Sequence, residues 1–245
     1  MNLRITLAVA HRVLTQLRRD PRTVAMLLVL PCLLISLLWW IYEDANPVLF
    51  DEIGPALLAI FPVIVMFLVT SVTTLRERSS GTLERLLAMP MGKLDFLVGY
   101  ALAFGLVAAL QSVLAVAVSV GLLGLDVVGP LWLLTVVAVV DAVLGSALGL
   151  FVSAFARTEF QAVQFMPLFV IPQILLCGLF VPRDEMPAVL SAISDLLPLS
   201  YATDAMQGLL ESSATAEVWR DVGIVAAFAL GALALGAATL RRRTP

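Results

Sequence analysis

The sequence predicts an all-α integral membrane protein built on six transmembrane helices. Three observations carry that expectation. Six apolar stretches are each long enough to cross a bilayer; 61% of the residues are hydrophobic and only 13% charged, with a mean hydropathy of +1.02; and the basic residues crowd onto one side of the stretches.

The stretches cover residues 24–42, 53–75, 96–125, 130–156, 160–181 and 222–240, and only the fourth holds a charge, Asp141. A hydrocarbon core of about 30 Å takes roughly 20 helical residues at about 1.5 Å rise each, so every stretch qualifies. Backbone amides in lipid have no water to bond, which leaves helices. The chain divides into an N-terminal segment (1–23), one membrane domain (24–240) and a basic tail (241–245).

If the N-terminus is cytosolic, the inner segments hold Arg4, Arg12, Arg18, Arg19, Arg22, Arg76, Arg78, Arg85, Lys93, Arg157, Arg241, Arg242 and Arg243, which is 13 of the 15 basic residues. Only Arg183 and Arg220 fall on the other side. This positive-inside bias places both termini in the cytosol. Trp39, Trp40, Trp132 and Trp219 agree, since all fall at the outer ends of spans, at headgroup level. The first 23 residues are too polar for a cleavable signal peptide, so the first span is expected to be retained. Cys32 and Cys177 lie near opposite faces and read as packing residues, and no spacing suits a metal.

Before the first span, Leu3, Leu7, Ala10, Val13, Leu14 and Leu17 share one helical face, and Arg4, His11, Arg12, Thr15, Arg18 and Arg19 the other. That is a basic amphipathic helix lying along the inner membrane surface, broken at Asp20-Pro21. It reads either as an anchor or as a contact for a cytosolic partner.

The loop from Arg76 to Pro90 is the most informative cytosolic piece. Thr82 can cap a short helix, Glu84 suits its first turn and Pro90 stops it, giving about two turns with Leu83, Leu86 and Leu87 on one face. So short a helix does not hold alone in water, and its apolar face needs a surface, in the chain's own spans or in a partner.

Here the sequence resembles the ABC-2 type transporter permeases. Their cytosolic loop runs Glu-Arg, small residues, Gly-Thr, Glu-Arg-Leu, then Pro, and the matching positions are Glu77, Arg78, Gly81, Thr82, Glu84, Arg85, Leu86 and Pro90. Further matches are residues 153–161, the stretch Gly178-Leu-Phe-Val-Pro182, Met186-Pro187, Leu197-Pro198, Tyr201 and Asp204. The resemblance covers nearly the whole chain. It implies that the loop is a coupling helix docking on a separate ATPase subunit, through Glu77, Arg78, Gly81, Thr82, Leu83, Glu84, Arg85, Leu86, Leu87 and Pro90. It also implies a connecting helix at residues 1–23 and a transporter of two permease and two ATPase subunits in a bacterial inner membrane. ATP and Mg would be bound by that ATPase, and no cofactor by this chain. The second permease is a copy or a relative.

The chain has no P-loop of its own: the sole lysine, Lys93, follows Gly92, but position 87 is leucine and position 94 is leucine. ATP hydrolysis by that route must come from another chain.

Inside the membrane, Asp141 has two readings. An ionised carboxylate at mid-span costs roughly 2.5–3.5 kcal/mol on insertion scales, so it faces the bundle or a wet cavity, as a cargo or proton site or as a neutral packing residue. Gln111, Gln164 and Gln173 are candidates for the same path, or interhelical glue. Gly145, Gly149 and Ser153 recur every fourth residue and leave a groove for a neighbouring helix. Pro167 and Pro172 are expected to bend or break the fifth span.

Residues 182–220 form a long outer segment in which Pro187 opens a helix, Pro198 interrupts and residues 200–211 resume. Its apolar character predicts two short re-entrant helices between the fifth and sixth spans. The family resemblance makes them an external gate, with Phe180, Pro187, Pro198 and Tyr201 as its candidate residues.

The competing function is a secondary transporter or channel carrying ions on Asp141; it lacks a paired charge and does not explain the coupling-type loop. An intramembrane metalloprotease is excluded because the only histidine, His11, is on the surface helix. The apolar interior favours a small hydrophobic or amphiphilic cargo such as a drug, antibiotic or lipid, with membrane lipid as solvent and no nucleic-acid partner.

Overall fold

The structure, a computed structural model, describes residues 2–43, 47–80 and 92–239. All regular elements among them are helical: α1 (Leu3–Arg19), α2 (Pro21–Glu43), α3 (Pro47–Ser79), α4 (Lys93–Gly121), α5 (Leu131–Ser153), α6 (Glu159–Leu176), a 3₁₀ turn (Arg183–Glu185), α7 (Ala188–Ser194), α8 (Pro198–Glu211) and α9 (Ala216–Thr239). Six of them, α2 to α6 and α9, are long and apolar enough to cross a membrane, as expected.

The boundaries follow local chemistry. Asn2 caps α1 by accepting the Arg4 N–H at 3.1 Å, and Asp20 stands between α1 and α2, accepting from the Thr23 N–H and hydroxyl at 3.2 and 2.7 Å. Those bonds, the hydroxyl's foremost, hold the Asp20 carboxyl below its usual range. Pro21 then opens α2 at a position where its missing N–H costs nothing. The helix α6 ends where Gly178 adopts a φ of 95°, and Pro198 opens α8.

Two expectations are corrected. The helix α3 continues to Ser79, so Arg76, Glu77 and Arg78 stand on its last turn and not in a loop. Pro167 and Pro172 lie inside α6, which is one helix from Glu159 to Leu176, so the expected break does not occur there.

The helix α5 is the hub, packed on α3, α4, α9 and α8. Its approach to α3 is so close that a Cβ at Gly145 or Gly149 would stand 2.6 Å from the Val63 or Phe67 carbonyl oxygen, so only glycine fits. On the buried face of α1 are Thr6, Val9, Ala10, Val13 and Leu17, packed against α4, while Leu3 and Leu7 are exposed. The packed face is thus rotated from the one periodicity suggests. The Asp95 carboxylate explains the shift: it accepts from the Asn2 N–H at 2.7 Å and the Thr6 hydroxyl at 3.2 Å, turning Thr6 inward.

Candidate functional site

The bundle has a basic end, where α1 packs and α3 and α5 finish, and an opposite end, where α5 begins and α7 and α8 lie. Trp132 and Trp219 stand 6.1 Å apart, centroid to centroid, at the opposite end.

At the basic end the last turn of α3 is fastened to its neighbours. Arg12 of α1 pairs with the buried Glu77 at 3.0 Å. Arg76 makes a two-pronged pair with Glu159 at the start of α6, at 2.7 and 2.9 Å. Arg78 donates to the Ser153 carbonyl at the end of α5. Glu77 and Arg78 therefore tie three helices together immediately before the coupling-type loop. Arg12 Nη1 and Glu77 Oε2 remain buried with no hydrogen-bond partner among the described residues. The remaining coupling candidates, Gly81, Thr82, Leu83, Glu84, Arg85, Leu86, Leu87 and Pro90, lie outside the described residues.

Within the bundle, Asp141 on α5 and Gln111 on α4 are both fully buried, and none of their four side-chain polar atoms has a partner among the described residues. Ser112 donates to the Ala138 carbonyl at 2.9 Å, fastening α4 to α5 next to both. Gln173 has another task. Its amide donates to the Phe169 carbonyl at 2.8 Å and accepts the Leu199 N–H at 3.3 Å, joining α6 to the first turn of α8. Gln164 is exposed, in the same stripe of α6 as Phe160, Leu168, Ile171 and Leu175. The four path candidates are thus not one cluster.

At the opposite end a cavity of about 900 Å³ opens between the start of α3, the α4–α5 connection, residues 178–184 and α8. Leu49, Ile53, Leu179 and Phe180 supply apolar wall, and Asp51, Glu52, Asp126, Asp184, Asp204 and Glu211 supply carboxyl groups. Of the gate candidates, Phe180 lines this cavity and is exposed; Pro187 caps α7; Pro198 is buried at the start of α8. Tyr201 donates its hydroxyl to the Asp195 carbonyl at 2.7 Å.

Arg183 organises this end. It pairs with Asp195 after α7 and with Asp204 on α8, and its guanidinium lies 5.4 Å from the Tyr201 ring centre. Burial pushes the Asp204 carboxyl above its usual range, although Arg183 pulls it down. Sequence reasoning left Arg183, Asp195 and Asp204 out of the gate, yet a signal existed: Arg183 and Arg220 are the two exceptions to the basic asymmetry. Both are neutralised locally, Arg220 by Asp221 at 3.0 Å. Among the described residues no group of three or more His, Cys, Asp or Glu side chains could hold a metal.

Residues 5–210 match the ABC-2 type transporter family. Relatives include the probable multidrug ABC transporter permease YbhR of Escherichia coli, 28% identical over 169 residues, covering 69% of this chain and 46% of that protein. The linearmycin resistance permease protein LnrN of Bacillus subtilis is 30% identical over 181 residues, covering 69% and 44%. The inner membrane transport permease YhhJ of Escherichia coli is 30% identical over 152 residues, covering 61% and 40%. The chain thus spans somewhat less than half the length of these curated relatives. With a match running from the surface helix through the coupling-type loop to the end of α8, this chain belongs to the ABC-2 type transporter family.

Proposed function

We propose that the chain forms the membrane path of an ATP-driven exporter, working with a separate ATPase and a second permease subunit to move a hydrophobic or amphiphilic compound out of a bacterial cell. The observation that carries this reading is the family match over residues 5–210, and the names of the relatives, a probable multidrug transporter permease and a linearmycin resistance permease, support the cargo class. The basic end faces the cytosol, following the positive-inside bias. The ATPase docks there, on the loop after Ser80, and its push enters α1, α5 and α6 through the Arg12–Glu77, Arg78–Ser153 and Arg76–Glu159 contacts. Cargo leaves by the cavity at the opposite end, whose mixed apolar and carboxylate wall suits an amphiphile, with Arg183 holding α7 and α8 over it until release. The exposed faces of α2 and α6, including Gln164, receive the second permease.

The reading is tested by co-expressing the chain with candidate ATPase subunits and measuring efflux of a fluorescent amphiphile. Glu84→Lys and Arg85→Glu are expected to abolish ATPase capture and efflux while insertion persists. Robust ATP hydrolysis by the purified chain alone would sink the proposal. Orientation is checked by an impermeant thiol reagent after Cys32 and Cys177 are replaced; labelling of Ser80→Cys but not Ser212→Cys in intact cells would invert the assignment.

A further inference from the structure

A second concavity lies on the outside of the bundle between α5 and α9, in the half nearer the basic end. It holds about 400 Å³, with Leu148, Phe151, Phe228 and Leu235 as walls and Ala227 and Gly231 leaving the space between them. Every lining side chain is apolar, so water has nothing to bond there. Gly231 stands open to this space: a Cβ there would meet nothing within 4 Å.

The surroundings identify an occupant. The least covered spans, α2 and α6, pack chiefly on α3, whereas α9 packs chiefly on α5 and α8. The groove therefore lies apart from the faces that best suit a second subunit. Hydrocarbon is the apolar matter available to it. Charge at the neighbouring end of α5 selects among lipids. Arg157 follows that helix, is exposed, and makes no ion pair among the described residues. Glu159, two residues on in the sequence, is already engaged by Arg76, and Glu77 at the same end by Arg12. Positive charge at that end is left for a ligand to neutralise.

We propose that the groove between α5 and α9 binds one acyl chain of an anionic phospholipid in the leaflet at the basic end, with its phosphate headgroup drawn to Arg157. The bound lipid fills what would otherwise be a gap between two spans and contributes to their cohesion.

The full chain is purified in detergent, its retained phospholipid is counted by mass spectrometry, and its melting is followed on adding phosphatidylglycerol or phosphatidylcholine. Phosphatidylglycerol is expected to co-purify and to raise the melting temperature more than phosphatidylcholine does. Gly231→Leu, whose Cβ would meet no protein atom within 4 Å, puts its side chain into the groove and is expected to lose both the retained lipid and the shift. Gly223→Leu, equally unobstructed but outside the groove, keeps both. Arg157→Gln erases the difference between the two lipids. Should Gly231→Leu fold poorly, Ala227→Leu, also an exposed groove position, repeats the test. Undiminished phosphatidylglycerol binding in the filled variant overturns the proposal, and so does a filled variant that changes subunit stoichiometry instead of lipid content, which assigns the groove to a protein partner.

Discussion

The helices α5 and α2 are both 23-residue spans of comparable apolar character, yet 67% of the α5 window is buried against 17% for α2 and for α6. In a membrane the apolar side chain does not choose the protein interior, because lipid is as good a solvent for leucine as another helix is. What separates them is small residues. Gly145 and Gly149 let α5 close on the α3 backbone, whereas α2 carries Met26, Val29, Leu33 and Leu37 along an exposed stripe. Packing contacts, not hydrophobicity, make α5 the hub.

The severest way to break that contrast is Gly149→Val. A Cβ there would press on the Phe67 carbonyl oxygen at 2.6 Å, and backbone cannot step aside as a side chain would. We expect a loss near the upper end of about 1–3 kcal/mol, read as a fall in melting temperature. An unchanged melting point would mean that the α3–α5 seam is looser than described.

A smaller effect of opposite sign is expected within the same helix. Both Asp141 oxygens are buried and unpartnered among the described residues, so Asp141→Val, which removes both, should stabilise the isolated chain by about 1–3 kcal/mol, while Asp141→Asn leaves stability nearly unchanged. Destabilisation by valine would reveal a bonding partner supplied by water or another subunit. A selective loss of cationic-substrate efflux in Asp141→Asn would make this residue part of the path.

The join between α1 and α4 offers a pH test. The Asn2 N–H, and after it the Gly92 N–H and the Thr6 hydroxyl, hold the Asp95 carboxyl below its usual range. A depressed folded-state value stabilises fully above about pH 4, the unfolded value, and that contribution disappears as pH falls through the folded value. Asp95→Asn should therefore lower the melting temperature above about pH 4, where the contribution is fully present, and flatten the acid limb below it, so that variant and parent converge in acid. An acid limb unchanged by the substitution would remove the linkage.

The smallest effects belong to the exposed spans. Leu33→Ala on α2 and Leu168→Ala on α6 should alter the monomer's stability by no more than about 0.5 kcal/mol, since each exchanges one lipid contact for another. Gln164→Leu should likewise spare the monomer but lower the fraction of paired subunits in cross-linking. A large monomer effect at any of these positions would erase the distinction from α5.

Six spans, their order and the family were legible in the sequence because each rests on local properties: run length, polarity and a contiguous motif. The glycine repeat of α5 was legible for the same reason, since a four-residue period marks one face whatever it meets. Tertiary structure decided the rest. Which face of α1 is buried depends on Asp95, 89 residues from Thr6. That Gln173 joins α6 to α8 while Gln164 faces outward depends on where α8 lies, which neither glutamine encodes. Arg183 becomes the centre of the outer helices only because folding brings Asp195 and Asp204 to it. Period and hydropathy are properties of one segment, but a contact is a property of two, and the chain's own line of residues does not state which two will meet.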